Sequence, residues 1–277
     1  MTSVACCGGF IDSGNPAGTT SPIGGIDCYV APRTATTDSF IESTAIVVAT
    51  DIFGYKLPNS RLIADSFAKD TQFLTVVPDI FEGTEPPPEL LQCVETLSGE
   101  QPATLFQKAQ AIGAILWHAP AFMYFNPISK GVNRIRKVIE TLRQERGIKR
   151  VALIGYCWGG RIAVILSQEP GVADAVCSAH PGGLTFPDDI EKIQAPIHFV
   201  LADKDRSVKE EQITIIRDVL GKKNEAGRLA HQIDVYPGTT HGFAVRGNEN
   251  DPKVKAAREK AYKDSLAFFK ENLAKLP

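Results

Sequence analysis

The chain has 277 residues, with 30 Lys and Arg against 32 Asp and Glu, a net charge of −2 and a pI near 6.2. No basic excess is available to neutralise a phosphate backbone, which argues against nucleic-acid binding. With 43% apolar and 22% charged residues the composition is that of a globular protein, excluding disorder, collagen-like repeats and coiled coil, and the length suits one α/β domain.

No apolar run approaches the roughly 18–20 residues that span a bilayer, so no membrane segment is expected. The first twenty residues hold no Lys or Arg and no extended apolar stretch, the last seven match no lipidation or retrieval signal, and a cytoplasmic location is the expectation.

Residues 1–24, rich in Gly, Ser, Thr and Pro over 11–24, read as an irregular lead-in, and 25–277 as a single domain. Ile26–Ala31 suits an edge strand. Ala45–Thr50 is a short aliphatic run of the kind buried on both faces of a parallel sheet. Asn59–Lys69 carries Leu62, Ile63 and Phe67 at helical spacing, with Asn59 or Ser60 as N-cap, and Phe73–Val77 is a second buried strand.

Residues 82–88 read as loop, and Glu89–Phe125 holds two helices, the second with apolar residues recurring at three and four over Leu105–Leu116. Residues 79–130 thus form a helical excursion over one rim of the sheet. Ile128–Arg146 is a long amphipathic helix stopped by Gly147. Strands at Val151–Gly155, Ala175–Ser178, Ile197–Leu201 and His231–Tyr236 then alternate with helices at Gly160–Gln168, Ser207–Leu220 and Pro252–Lys275. The alternation predicts an α/β fold with a mainly parallel central sheet and helices on both faces.

Six cysteines (6, 7, 28, 93, 157 and 177) are too sparse for a disulfide scaffold, and none shows zinc-ligand spacing. Cys6 and Cys7 read as reduced thiols. Cys157 differs by context, because Gly155-Tyr156-Cys157-Trp158-Gly159 directly follows an aliphatic strand and directly precedes a helix. A nucleophile elbow needs small residues two positions either side of its central residue, and Gly155 and Gly159 occupy both. The helix N-terminus behind the thiol favours thiolate. The dinucleotide and P-loop glycine fingerprints are absent.

The α/β-hydrolase order of nucleophile, acid and histidine is satisfied by Cys157, an aspartate in Ala202-Asp203-Lys204-Asp205, and a histidine. Of five histidines, His198 and His231 fall in strands and read as structural. His118 lies in the helical excursion. His180 follows the strand at 175–178 and is a candidate pocket residue. His241, in a loop after the last strand, has the right chain order for a catalytic base.

Gly155–Gly160, Ala49-Thr50-Asp51-Ile52-Phe53-Gly54, the Asp205 segment and His241-Gly242-Phe243 resemble the dienelactone hydrolase (carboxymethylenebutenolidase) family, over about 25–275, and the opening motifs around Cys6–Cys7 and Gly24–Asp27 are similar to its fungal members. The resemblance implies Cys157 as nucleophile, His241 as base and Asp205 as acid, with Asp203 the runner-up, and backbone N–H donors from Ile52 and Trp158. It implies hydrolysis of a small ester or lactone through a thioester, with no cofactor and no metal, by a monomer or homodimer. The alternative is a non-hydrolytic step (dehydration, isomerisation or C–C cleavage) in a fungal secondary-metabolite or aromatic catabolic route. Asp51 replaces a glutamate that contacts the resting thiol in bacterial members. Asp51, Tyr156, His180 and Arg246 are therefore candidates for tuning the thiol or binding substrate.

Overall fold

A computed structural model describes residues 11–98, 103–225, 227 and 229–276; Cys6 and Cys7 lie outside them. The aliphatic runs become strands because their backbone groups pair in a ladder while both faces are covered. In chain order the elements are β1 (Thr19–Ile23), β2 (Ile26–Val30), α1 (Ser39–Glu42), β3 (Thr44–Ala49), α2 (Pro58–Thr71), β4 (Leu74–Pro78), α3 (Leu90–Ser98), α4 (Leu105–Phe125) and α5 (Ile128–Arg146). There follow β5 (Arg150–Tyr156), α6 (Trp158–Ser167), β6 (Ala175–Ala179), α7 (Asp188–Glu191), β7 (Ile197–Lys204), α8 (Glu210–Glu225), β8 (His231–Thr240), α9 (Phe243–Arg246) and α10 (Pro252–Ala274).

These strands form one sheet in the order β1-β2-β4-β3-β5-β6-β7-β8, parallel from β4 to β8 and antiparallel where β2 meets β1 and β4. Side-chain alternation splits the core in two. Val47 and Leu153 pack with α5, α6 and α8 on one face. Ile46, Val48 and Ile154 pack with Phe67 of α2 and Phe268 and Phe269 of α10 on the other.

Two expectations are corrected. Residues 19–23 of the expected irregular lead-in form β1, a hairpin partner of β2 across the positive-φ glycines Gly24 and Gly25, so β1 and not β2 is the sheet edge. The polar TTSP stretch hides this strand because its burial comes only at Ile23. The N-cap of α2 is Leu57 with Pro58 in the first turn, and the Asn59 side chain donates instead to the Val245 carbonyl at 3.1 Å.

Candidate active site

Cys157 joins β5 to α6 with φ 53° and ψ −109°, a conformation that costs a non-glycine residue about 1–3 kcal/mol. The two flanking glycines make it attainable. A Cβ at Gly155 would run into the backbone of Gly159, and one at Gly159 into the carbonyl of Ala49. The turn is fixed from both neighbouring strands: Cys157 N–H donates to Ala179 O at 3.0 Å, and Gly159 N–H donates to Thr50 O at 3.0 Å. Its thiol is partly accessible and sits at the first turn of α6.

Two loops at the same carboxyl edge of the sheet supply the other groups. Asp205 follows β7, and His241 follows β8. His241 Nδ1 lies 2.9 Å and 3.1 Å from the two carboxylate oxygens of Asp205, whose Oδ1 also accepts from Ser207 N–H at 2.7 Å. Asp203, the runner-up, is turned outward and accepts from Gly238 N–H at 2.9 Å.

With Nδ1 engaged by Asp205, the opposite edge of the ring serves Cys157. Burial disfavours charge on His241, but the charge of Cys157 and hydrogen bonds from Asp205 and Cys157 overcome it and push the imidazole up to about 10. The arrangement favours the protonated ring. The internal hydrogen bonds across these loops use neither the N–H of Ile52 nor that of Trp158, so both can donate to a developing oxyanion.

The dienelactone hydrolase family profile matches residues 29–273. The chain belongs to the dienelactone hydrolase family. It is 28% identical over 276 residues to the hydrolase tropI of Talaromyces stipitatus, covering 98% of this chain and 97% of that protein. It is 27% identical over 245 residues to the carboxymethylenebutenolidase homolog of Xenopus tropicalis, covering 88% and 86%. A crystal structure of dienelactone hydrolase from Anabaena variabilis superposes with a TM-score of 0.52 at 13% identity over 91% of this chain and 97% of that one, a likeness of fold.

Within this family setting, the structure places the four remaining candidates as follows. Arg246 is buried on α9, its Nε donates to Asp51 Oδ2 at 2.6 Å, and its guanidinium lies 5.0 Å from the centre of the Phe53 ring. Asp51 is buried too, and its other oxygen accepts from Phe53 N–H at 3.0 Å, so its carboxylate is engaged by Arg246 and its own loop.

Tyr156 points to the opposite face of the sheet, where it helps line a cavity of about 440 Å³ between α2 and α10 that does not include Cys157. Alternation along β5 puts Tyr156 on the same face as Ile154. His180 is wholly enclosed behind His241, their ring centroids 5.1 Å apart, with φ 36° and neither ring nitrogen hydrogen-bonded. Burial, then the charges of His241 and Arg246, hold it well below the usual histidine range, so it stands there as a neutral ring.

The front of the site is apolar. Ile52 and Leu57, like Ala114 and Ile115 of α4, pack against the cluster of Phe53, Leu90 and Leu91, and Phe122 of α4 meets Trp158 edge-on at 5.4 Å. The inner face of α4 therefore roofs the region beside Cys157.

A second Cys–His–Asp set lies inside the sheet and had no signal in the sequence beyond the three letters. Cys177 Sγ of β6 is 3.6 Å from His198 Nδ1 of β7, and His198 Nε2 is 2.9 Å from Asp234 Oδ2 of β8. Cys177 and His198 are fully buried. Burial pushes the Cys177 thiol well above its ordinary value, whereas the His198 hydrogen bond holds the Asp234 carboxyl below its own.

Proposed function

We propose that this member of the dienelactone hydrolase family cleaves small carboxylic esters or lactones through a thioester on Cys157. The observation that carries the reading is the His241–Asp205 contact at 2.9 Å beside a cysteine held on a strand-to-helix turn. Cys157 Sγ attacks the carbonyl carbon, and the oxygen's developing charge is received by Ile52 and Trp158 N–H. His241 Nε2–H passes its proton to the departing alkoxide oxygen, leaving an acyl thioester. Water then adds to the thioester as the neutral imidazole takes its proton, and collapse releases the acid and restores the thiolate. Asp205 keeps the Nδ1 proton on the side away from sulfur throughout.

Accessibility favours Cys157 over Cys177 as the nucleophile. Cys177 and His198 are strand residues with no exposed surface, the raised thiol is held neutral, and the surrounding backbone N–H groups are committed to the β6–β7 ladder. The apolar side chains of Ile52 and Trp158, whose N–H groups receive the oxyanion in this reading, suit an uncharged aliphatic or aromatic acyl group. Arg246, already neutralised by Asp51, gives little selection for a carboxylate-bearing substrate.

We infer further that the protein is of the fungal type and works in a reducing cytoplasm. The first inference is supported by the near full-length likeness to hydrolases of Talaromyces stipitatus and Aspergillus violaceofuscus, and the second by four free thiols among the described residues. The test is a panel of p-nitrophenyl esters, neutral lactones and carboxylated dienelactones, assayed on the natural chain and on Cys157→Ala. Turnover of neutral esters or lactones that vanishes in Cys157→Ala is expected; turnover that survives overturns the nucleophile.

A further inference from the structure

Among the described residues, nine large hydrophobic side chains are strongly exposed, and eight of them lie on α4. At roughly 150–250 Å² for a large aromatic side chain, with a little less for each aliphatic one, they present on the order of 1,000 Å² of apolar surface. A monomer's largest apolar patch is typically about 300–600 Å², and a stable protein interface uses about 800 Å² from each partner.

The patch is ordered along the helix. The inner side of α4, through Ala111, Ala114, Ile115 and Phe122, meets α3 and the site. On the opposite side Phe106, Ala109, Gly113, Trp117, Pro120 and Tyr124 recur at three and four and form one outward stripe.

Among the described residues nothing in its own chain requires a glycine at position 113. It lies mid-helix, where glycine weakens the helix, and a Cβ built on it would meet nothing within 4 Å. A glycine on the outer face of an apolar helix is explained when another backbone approaches it closely. The stripe is also complementary to itself. Laid antiparallel and crossed at Gly113, two copies set Ala109 against Trp117 and Phe106 against Pro120, small or flat groups opposite large ones, as an isologous two-fold contact requires.

We infer that the outward face of α4 is a self-pairing surface, through which two copies of this chain form a dimer by antiparallel contact centred on Gly113. A lipid surface fits less well. Lys108 is the only Lys, Arg, Asp or Glu of α4, so the helix lacks the basic face by which interfacial helices hold a bilayer, and among the described residues no helix is long and apolar enough to cross one.

The experiment is sedimentation equilibrium on the full chain, with non-reducing electrophoresis after mild oxidation. The natural chain should be dimeric at micromolar concentration. Gly113→Leu should weaken association at least tenfold without lowering the thermal midpoint, because leucine is the better helix former and only a partner would object to it. Gly113→Cys should cross-link to a covalent dimer, whereas Lys108→Cys, on the other side of the helix, should not. Trp117→Lys should be monomeric with turnover per chain within about twofold of the natural protein. A natural chain that stays monomeric at 50 µM, or a Gly113→Leu variant that dimerises undiminished, overturns the inference. So does co-sedimentation with phosphatidylcholine vesicles by a chain whose Gly113→Cys form never cross-links.

Discussion

Cys157, His241 and Asp205 share three residue types with Cys177, His198 and Asp234, and the His–Asp contact is 2.9 Å in both sets. Everything else differs. The members of the first set stand in loops or turns at the carboxyl ends of β5, β7 and β8, where a parallel sheet leaves backbone and side chains turned towards a crevice. The members of the second lie within β6, β7 and β8, on strands about 4.8 Å apart: Cys177 is the register partner of His198, and Asp234 is two residues along β8 from His198's partner Gln232. The contrast teaches that three matching side chains do not make a reactive centre. The first set adds a helix terminus behind the sulfur, two uncommitted N–H groups and an imidazole pushed up to about 10. In the second, the thiol is locked in its neutral form and no substrate can reach it.

Paired substitutions break or sharpen this contrast. The largest effect is expected at the sulfurs. Cys157→Ser should lower kcat/KM for an activated ester by about a thousandfold or more, with circular dichroism unchanged, while Cys177→Ser should stay within about threefold. A reversed ranking would make the enclosed set the working one.

Next come the acids. Asp205→Asn should cost roughly 10²–10⁴ in kcat, the range ascribed to general acid–base catalysis, by favouring the wrong imidazole tautomer. Asp234→Asn and Asp203→Asn should each cost less than about fivefold. A smaller effect comes with iodoacetamide, where mass spectrometry of the folded chain should show Cys157 modified first and Cys177 only after denaturation. Early labelling of Cys177 would mean that the sheet opens far more readily than its packing implies.

The smallest effect is the pH dependence of stability, and its sign differs between two adjacent rings. His241 is raised above its ordinary value of 6.5 in the folded chain, so its charge stabilises the fold fully below pH 6.5, and that contribution is lost as pH rises through about 10. The deficit of His241→Gln relative to the natural chain should therefore shrink across that window. His180 is held well below 6.5, so only the unfolded chain takes up its proton and stability is lost as pH falls below 6.5. His180→Phe should flatten that acid limb in urea melts at a series of pH values. Parallel curves for the variant and the natural chain would show that the ring is not held neutral.

The contrast also explains what could be read from the sequence. The elbow was legible because steric demand writes itself into adjacent letters, with glycines two positions either side of Cys157 after an aliphatic strand. The buried strands and the stop of α5 at Gly147, which adopts φ 67°, were legible for the same local reasons. The Arg246–Asp51 ion pair was not, because its partners are 195 residues apart and α9 is a single turn. The direction of Tyr156 is legible from strand alternation, which pairs it with Ile154. Apolar spacing over Leu105–Leu116 announced a helix correctly, yet periodicity says only that a face seeks cover, and here most of that surface is open.

The Asp51–Arg246 pair has a consequence for precision. Asp51 directly precedes Ile52, and Arg246 lies one short helix beyond His241, so one buried contact ties the loop proposed to carry an oxyanion donor to the segment proposed to carry the base. With both side chains over 90% enclosed, dissolved ions have little access to screen it. A displacement of either loop strains that contact, so under the proposed roles the two groups that meet the same carbonyl are coupled across distant stretches of chain.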